Sequence, residues 1–259
     1  MIIYQEHPPC QQLAPYLACL WTCRVLPGAR AMSHRVLPDN CIDILWQDSG
    51  PAAETGHVAG MMTTMIEVPV AHPVRTIAVR FKPGAAAHFF DFPLHEMADL
   101  HPALDELWPP SVTAQFADAL WSRPLDDGQA LRTLQLLLLG RLRQGGSGAV
   151  AGSAVLAQAA VTAIERSQGA IGIATLAASL GVSRQHLASQ FRARVGLGAK
   201  AFARVCRFRA ASERIRAAPA AELDWAQLAL ELGYYDQPHL IHEFRALAGS
   251  SPASFLRTA

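Results

Sequence analysis

The sequence predicts an α+β protein in two parts: a β-rich front half with appended helices, then an all-α back half with two helix-turn-helix units joined by a long helix. Three observations carry this expectation. Alternating apolar residues and β-rich runs are confined to roughly the first 81 residues. Apolar residues then recur at helical spacing, and no strand candidate follows. The back half also aligns with itself, two stretches reading LAxxLG, a short turn, HL, and FR four residues after the leucine.

In chain order, Leu17, Cys19, Trp21 and Cys23 alternate along one expected strand face. Val36–Trp46 (VLPDNCIDILW) reads as a turn entering a strand, and Val74–Phe81 (VRTIAVRF) is a strand ended by Lys82-Pro83-Gly84. Pro83–Phe90 reads as a short helix. Val112–Trp121 and Gln129–Arg143 read as longer ones, the second with a nearly continuous leucine face. That face suits either a dimer surface or burial in its own domain. Gln144-Gly145-Gly146-Ser147-Gly148 has the composition of a flexible linker. The expected organisation is therefore residues 1–143, a linker at 144–150, and residues 151–259.

The first repeat spans Leu176–Arg192 and the second Leu228–Arg245, with a turn one residue longer in the second. Each reads as helix, glycine turn, helix. Leu176 and Leu180, then Leu187 and Phe191, supply apolar pairs four apart on successive helices. Gly181 falls where the first helix must end at positive φ. Ser183 and Asp236 are expected N-caps, and Pro238 falls in a first turn, where its missing N–H breaks nothing. Between the repeats Ala199–Ala217 reads as one helix, with Phe202, Val205, Phe208 and Ile215 as its buried stripe. Its 19 residues span about 28 Å, close to the roughly 34 Å between successive major grooves on one face of DNA.

Charge points the same way. Residues 151–259 carry 12 Lys+Arg and 7 Asp+Glu, a net of +5, against a net of −4 for the first 150. A basic back half suits a polyanionic partner. With 51% hydrophobic and 17% charged residues the chain can bury a core and is not a disordered tail. No apolar run approaches a membrane span, and MIIYQEHPP lacks the features of a signal peptide, so a soluble cytoplasmic protein without a membrane partner is expected. Four of the five cysteines lie in the first 41 residues. Thiolates would suit zinc, copper(I) or a thiol-reactive signal. However, Cys19 and Cys23, four apart on a strand, lie about 13 Å apart, too far to share one ion. CxxC, HxH and HExxH spacings are absent, no catalytic constellation stands out, and no cofactor is implied.

With both units, the linking helix and the closing Gly249–Arg257 (GSSPASFLR) in place, the C-terminal hundred residues resemble the DNA-binding domain of the AraC/XylS family of transcription regulators. Phe255 stands where that family usually has tyrosine. The resemblance implies double-stranded DNA as partner, with exposed positions at the start and middle of each second helix facing base edges. Those positions are Arg184, Gln185, Ala188 and Ser189 in the first unit, and Gln237, Pro238, Ile241 and His242 in the second. Gln suits adenine, Arg suits guanine, and Ala or Ile suits a thymine methyl. Arg192, Lys200, Arg204, Arg207 and Arg245 are the candidates for phosphate contacts.

LPDNCIDILW and VRFKPGAAAHFF also resemble segments of some such regulators. This implies that residues 1–143 form an effector-sensing or oligomerisation domain, with an unnamed small molecule, a homodimer through this domain, and RNA polymerase as further partners. Trp21, Cys41, Asp43 and Trp46 are the candidate effector contacts. Asp39 and Asp43, flanking Cys41, suit a polar pocket floor or a turn cap. The expected function is a non-enzymatic, sequence-specific activator that senses a small molecule. The competing reading is a DNA-binding module fused to a thiol- or metal-dependent sensor or repair domain at Cys41.

Overall fold

A computed structural model describes residues 2–26, 32–48, 55–70, 73–144, 151–217 and 223–258. The front half holds seven strands among the described residues: β1 (Ile2–His7), β2 (Leu17–Val25), β3 (Met32–Val36), β4 (Ile42–Asp48), β5 (His57–Ala59), β6 (Ile66–Val70) and β7 (Val74–Phe81). Five form an antiparallel sheet in the order β1-β2-β7-β4-β5, while β3 and β6 pair separately. The sheet alternates as pleating requires. Leu20, Ile42, Ile44, Trp46, Ile77, Val79 and Phe81 belong to the main core. Cys19, Trp21 and Ala78 form a small cluster of their own, with Cys23 and Leu45 packed on it.

Leu17 departs from the expected single face. It packs in the main core, while Cys19, Trp21 and Cys23 do not. A register shift between Leu17 and Cys19 supplies the cause, since one extra residue in a strand reverses which side the following side chains face. The short helix expected over Pro83–Phe90 is a 3₁₀ turn at Ala85–His88, entered through Gly84 at φ 79°. Two longer helices, α1 (Pro110–Trp121) and α2 (Asp127–Gln144), then contribute Phe116, Leu120, Leu131, Leu134 and Leu138 to the main core. Asp127, at the start of α2, accepts hydrogen bonds from Arg24 and Arg75 on adjacent strands. The leucine face of α2 is thus largely spent within its own chain, although Leu136 stays 70% exposed.

The back half is helical throughout its described residues: α3 (Ala151–Arg166), α4 (Ile173–Ser179), α5 (Arg184–Val195), α6 (Ala199–Ala217), α7 (Trp225–Glu231), α8 (Gln237–Ala248) and α9 (Pro252–Thr258). Of the expected linker at 144–150, all but Gln144 lies outside the described residues. Side-chain packing is divided further along the chain. Leu176, Leu187, Phe191, Phe202 and Cys206 join the core of the front half in one continuous cluster. Val205, Phe208, Ile215, Leu228, Leu240, Phe244 and Phe255 form a second. Helix α6 serves both, presenting Phe202 and Cys206 to one core and Val205, Phe208 and Ile215 to the other.

Candidate nucleic-acid interface

The two units are built by the same local chemistry. In the first, Gly181 at φ 68° ends α4, with its N–H bonded to Ala178 O and that of Val182 to Ala177 O, both at 3.1 Å. In the second, Gly233 at φ 76° donates to Leu230 O at 3.1 Å and Tyr234 to Ala229 O at 2.9 Å. This paired bonding satisfies the last carbonyls of a helix and needs a left-handed residue after it. A Cβ on Gly181 would meet nothing within 4 Å, so conformation, not space, requires glycine there. The second helices are capped as expected: Ser183 Oγ accepts from the His186 N–H at 3.1 Å, and Asp236 Oδ1 from the His239 N–H at 2.7 Å.

Capping and packing leave one face of each second helix in solvent. On α5, Leu187, Phe191 and Val195 are buried, while Arg184, Gln185, Ala188, Ser189 and Arg192 are exposed. On α8, Leu240, Phe244, Leu247 and Ala248 are buried; Pro238, His242 and Arg245 are exposed, and Gln237 and Ile241 half-buried. All eight base-contact candidates thus lie off the cores of their helices. Among the phosphate candidates, Arg192, Lys200 and Arg245 are exposed. Arg204 and Arg207 stand differently. Arg204 pairs with Glu243 of α8; Arg207 donates to Gly233 O at 3.1 Å and lies over the Tyr234 ring.

Other arginines of α6 are tied as well: Arg209 donates to Asp39 O at 3.1 Å, Arg214 pairs with Glu231, and Arg216 covers the Phe255 ring. The linking helix spends much of its positive charge on holding the second unit and the front half. Sequence reasoning did not find Glu243 or Asp39 O as partners, because neither lies near these arginines in the chain.

The four front-half candidates do not converge. Trp46 is fully buried in the main core, stacked on Phe116. Trp21 and Asp43 lie on the opposite sheet face, joined by a 3.1 Å hydrogen bond from the indole N–H. Arg80 completes this group, its guanidinium bonding both Asp43 oxygens at 3.1 and 3.0 Å. Burial pushes the Asp43 carboxyl up to about 6 against the opposing pull of Arg80. Asp39 caps its turn by accepting from the Cys41 N–H at 2.9 Å, and it also lies 3.6 Å from the Arg80 guanidinium that binds Asp43. Burial, reinforced by Asp39 and Asp43, holds the Cys41 thiol well above the usual thiol range, a setting opposed to a reactive thiolate.

Between them, Asn40 reaches the back half. It sits at φ 62° with its side-chain N–H donating to Phe202 O at 3.0 Å and its Nδ2 3.3 Å from Cys206 Sγ. Further contacts reach both units. Met65 N–H donates to Leu247 O at 3.0 Å, and Gly196, after α5, lies so close to Leu94 that a Cβ would stand 3.3 Å from its carbonyl oxygen. Among the described residues no helix is long and apolar enough to cross a membrane, and no group of three or more His, Cys, Asp or Glu could hold a metal ion.

Two capped helix-turn-helix units thus stand on one shared helix, α6. Residues 176–258 match a family model described as a helix-turn-helix domain, and residues 5–103 match one described as a domain of unknown function (DUF6597). The matched helix-turn-helix stretch takes in α5 to α9 and so contains both units from the start of their second helices onward, together with the linking helix. Similar solved structures include the C-terminal domain of AraT, a response regulator from Geobacillus stearothermophilus, at 24% identity and a TM-score of 0.37 over 40% of this chain and 85% of that one. ToxT from Vibrio cholerae is similar at 10% identity and a TM-score of 0.45, over 88% of this chain and 97% of that one. An unsaturated fatty acid bound wild-type ToxT gives 10% identity and 0.41 over 99% and 94%. No curated protein matches the chain.

Proposed function

We propose that the protein reads two successive major grooves on one face of DNA, α5 in one and α8 in the next, and that residues 1–143 adjust this reading in response to a small molecule. The observation that carries the reading is the pair of exposed, capped second helices flanking α6, whose 19 residues span about 28 Å. Arg184, Gln185, Ala188 and Ser189 supply hydrogen-bonded and methyl readout from α5. Gln237, Pro238, Ile241 and His242 supply a readout poorer in donors from α8. Arg192, Lys200 and Arg245 are the phosphate contacts. Arg204 and Arg207 serve the DNA indirectly, by fixing α8 on α6.

Support for a regulatory front half comes from its contacts. Asn40 and Asp39 meet α6, Met65 meets the end of α8, and Leu94 meets the end of α5. A shift in the front half therefore reaches both units. Activation through RNA polymerase and dimerisation through the front half belong to this proposal. Thiol chemistry at Cys41 does not, because a thiol held protonated beside Asp39 and Asp43 makes a poor nucleophile.

Selection of duplexes from a random library by the intact protein tests the reading. Bound sequences should share two short elements about one helical turn apart, with base substitutions costing more in the element read by α5. A larger cost on the α8 side would overturn the assignment of roles. For the sensing half, a small-molecule thermal-shift screen should find compounds that raise the midpoint by mass action and change DNA affinity. Ligands that stabilise without changing affinity would remove the coupling.

A further inference from the structure

The two units differ by one residue in their turns, and the structure identifies it. Val182 and Tyr234 hold equivalent places, each following the glycine and each donating its N–H five residues back. Tyr234 is buried and Val182 half-buried. Ser183 and Asp236 are equivalent as caps. Tyr235 lies between Tyr234 and Asp236 with no counterpart in the first unit.

Its side chain is 85% exposed, the most exposed of the large apolar and aromatic side chains described. The turn beneath it is firmly held. Tyr235 N–H donates to Nδ1 of His239 at 3.1 Å, while the His239 ring meets the Tyr234 ring edge-on at 5.4 Å. The backbone that carries the phenol is thus held just before the Asp236 cap and the first turn of α8. A tyrosine so exposed adds little to the core. Its large ring and single donor suit a partner surface that is part apolar and part polar.

Building on the DNA-reading function, we propose that Tyr235 is a further DNA contact, its hydroxyl donating to a phosphate oxygen beside the groove that α8 enters. The neighbouring carboxylate explains the residue type. A lysine or arginine at this position would be drawn to Asp236 and compete for its capping oxygens, whereas a neutral phenol approaches a phosphate without disturbing the cap. The contact orients α8, whose own face is poor in donors, and carries no sequence information.

The test uses the intact protein, its Tyr235→Phe variant, and a fluorescein-labelled duplex of mixed sequence and about 30 base pairs, long enough for two grooves, titrated over a series of salt concentrations. Tyr235→Phe should bind about tenfold more weakly at every salt concentration, equivalent to about 1.4 kcal/mol. The slope of log affinity against log salt should not change, because a neutral donor releases no counterion. The thermal midpoint should equal that of the parent. Parent-like affinity of Tyr235→Phe overturns the proposal, as does a weakening accompanied by a lower midpoint, which would assign the hydroxyl to folding. Failure of the parent protein to bind in a salt-dependent manner would instead refute the DNA-reading function beneath it.

Discussion

Replacing Asn40 probes the joint between the two halves. The residue is 1% exposed, sits at φ 62°, and donates to the backbone of α6, while its Oδ1 is buried without a partner. Asn40→Ala removes a buried hydrogen bond, about 1–1.5 kcal/mol, and places an alanine in the left-handed region, about 1–2 kcal/mol. Removal of the unpaired oxygen returns about 1 kcal/mol, leaving a net loss of about 2. Asn40→Gly loses the same bond without the strain, at an entropic cost of about 0.5–1 kcal/mol, for a net loss of about 1. The order is the diagnostic feature, since alanine should be worse than glycine, opposite to its usual advantage. Urea unfolding of the intact chain, followed by tryptophan fluorescence, measures both, and amide exchange around Phe202–Cys206 should accelerate in each variant. Stability of Asn40→Ala equal to or above that of Asn40→Gly would refute the conformation argued for this turn. Both variants matching the parent would refute the contact itself.

Other consequences follow from the caps and charges. Ser183→Ala and Asp236→Ala should each cost about 1 kcal/mol, seen as lower thermal midpoints. Asp43→Asn tests the buried pair with Arg80. Since burial pushes the folded-state carboxyl up to about 6 from its ordinary value of 3.8, the folded chain holds the proton longer than the unfolded one. That contribution is complete below the ordinary value and lost as pH rises through about 6. The parent should therefore lose up to about 3 kcal/mol relative to Asp43→Asn over that window, and parallel pH profiles would contradict it. Arg245→Ala should lower the salt slope of DNA binding by about 1 with little loss of stability. Arg204→Ala should instead destabilise the fold, because it leaves the mostly buried Glu243 carboxylate without its partner.

The legible features were those set by local chemistry. Gly181, Ser183 and Asp236 declare helix ends through φ and capping alone, and the stripe Phe202–Ile215 declares α6 through its spacing. Strands β4 and β7 showed themselves by composition. The register shift in β2 did not, because a bulge depends on how Leu17 and Cys19 meet β7. In the sequence Asn40 reads only as part of a turn. Its partner Phe202 lies 162 residues away, and no local pattern announces such a pairing. Arg204 and Arg207 read as phosphate contacts for the same reason, since Glu243 and Gly233 O become their neighbours only once the chain has folded. Tyr235 left a signal, the extra residue in the second turn, but whether Tyr234 or Tyr235 faced solvent required the structure.

Hydroxyl-radical footprinting of the intact protein on a selected duplex addresses the account most directly. Two helices flanking α6 should protect two patches on one face of the DNA, separated by about 10 base pairs. A Gln185→Ala, Ser189→Ala double variant should weaken the patch read by α5 and leave the other in place. A single protected patch, or two on opposite faces of the duplex, would contradict the arrangement in which α6 spaces two reading helices one turn apart.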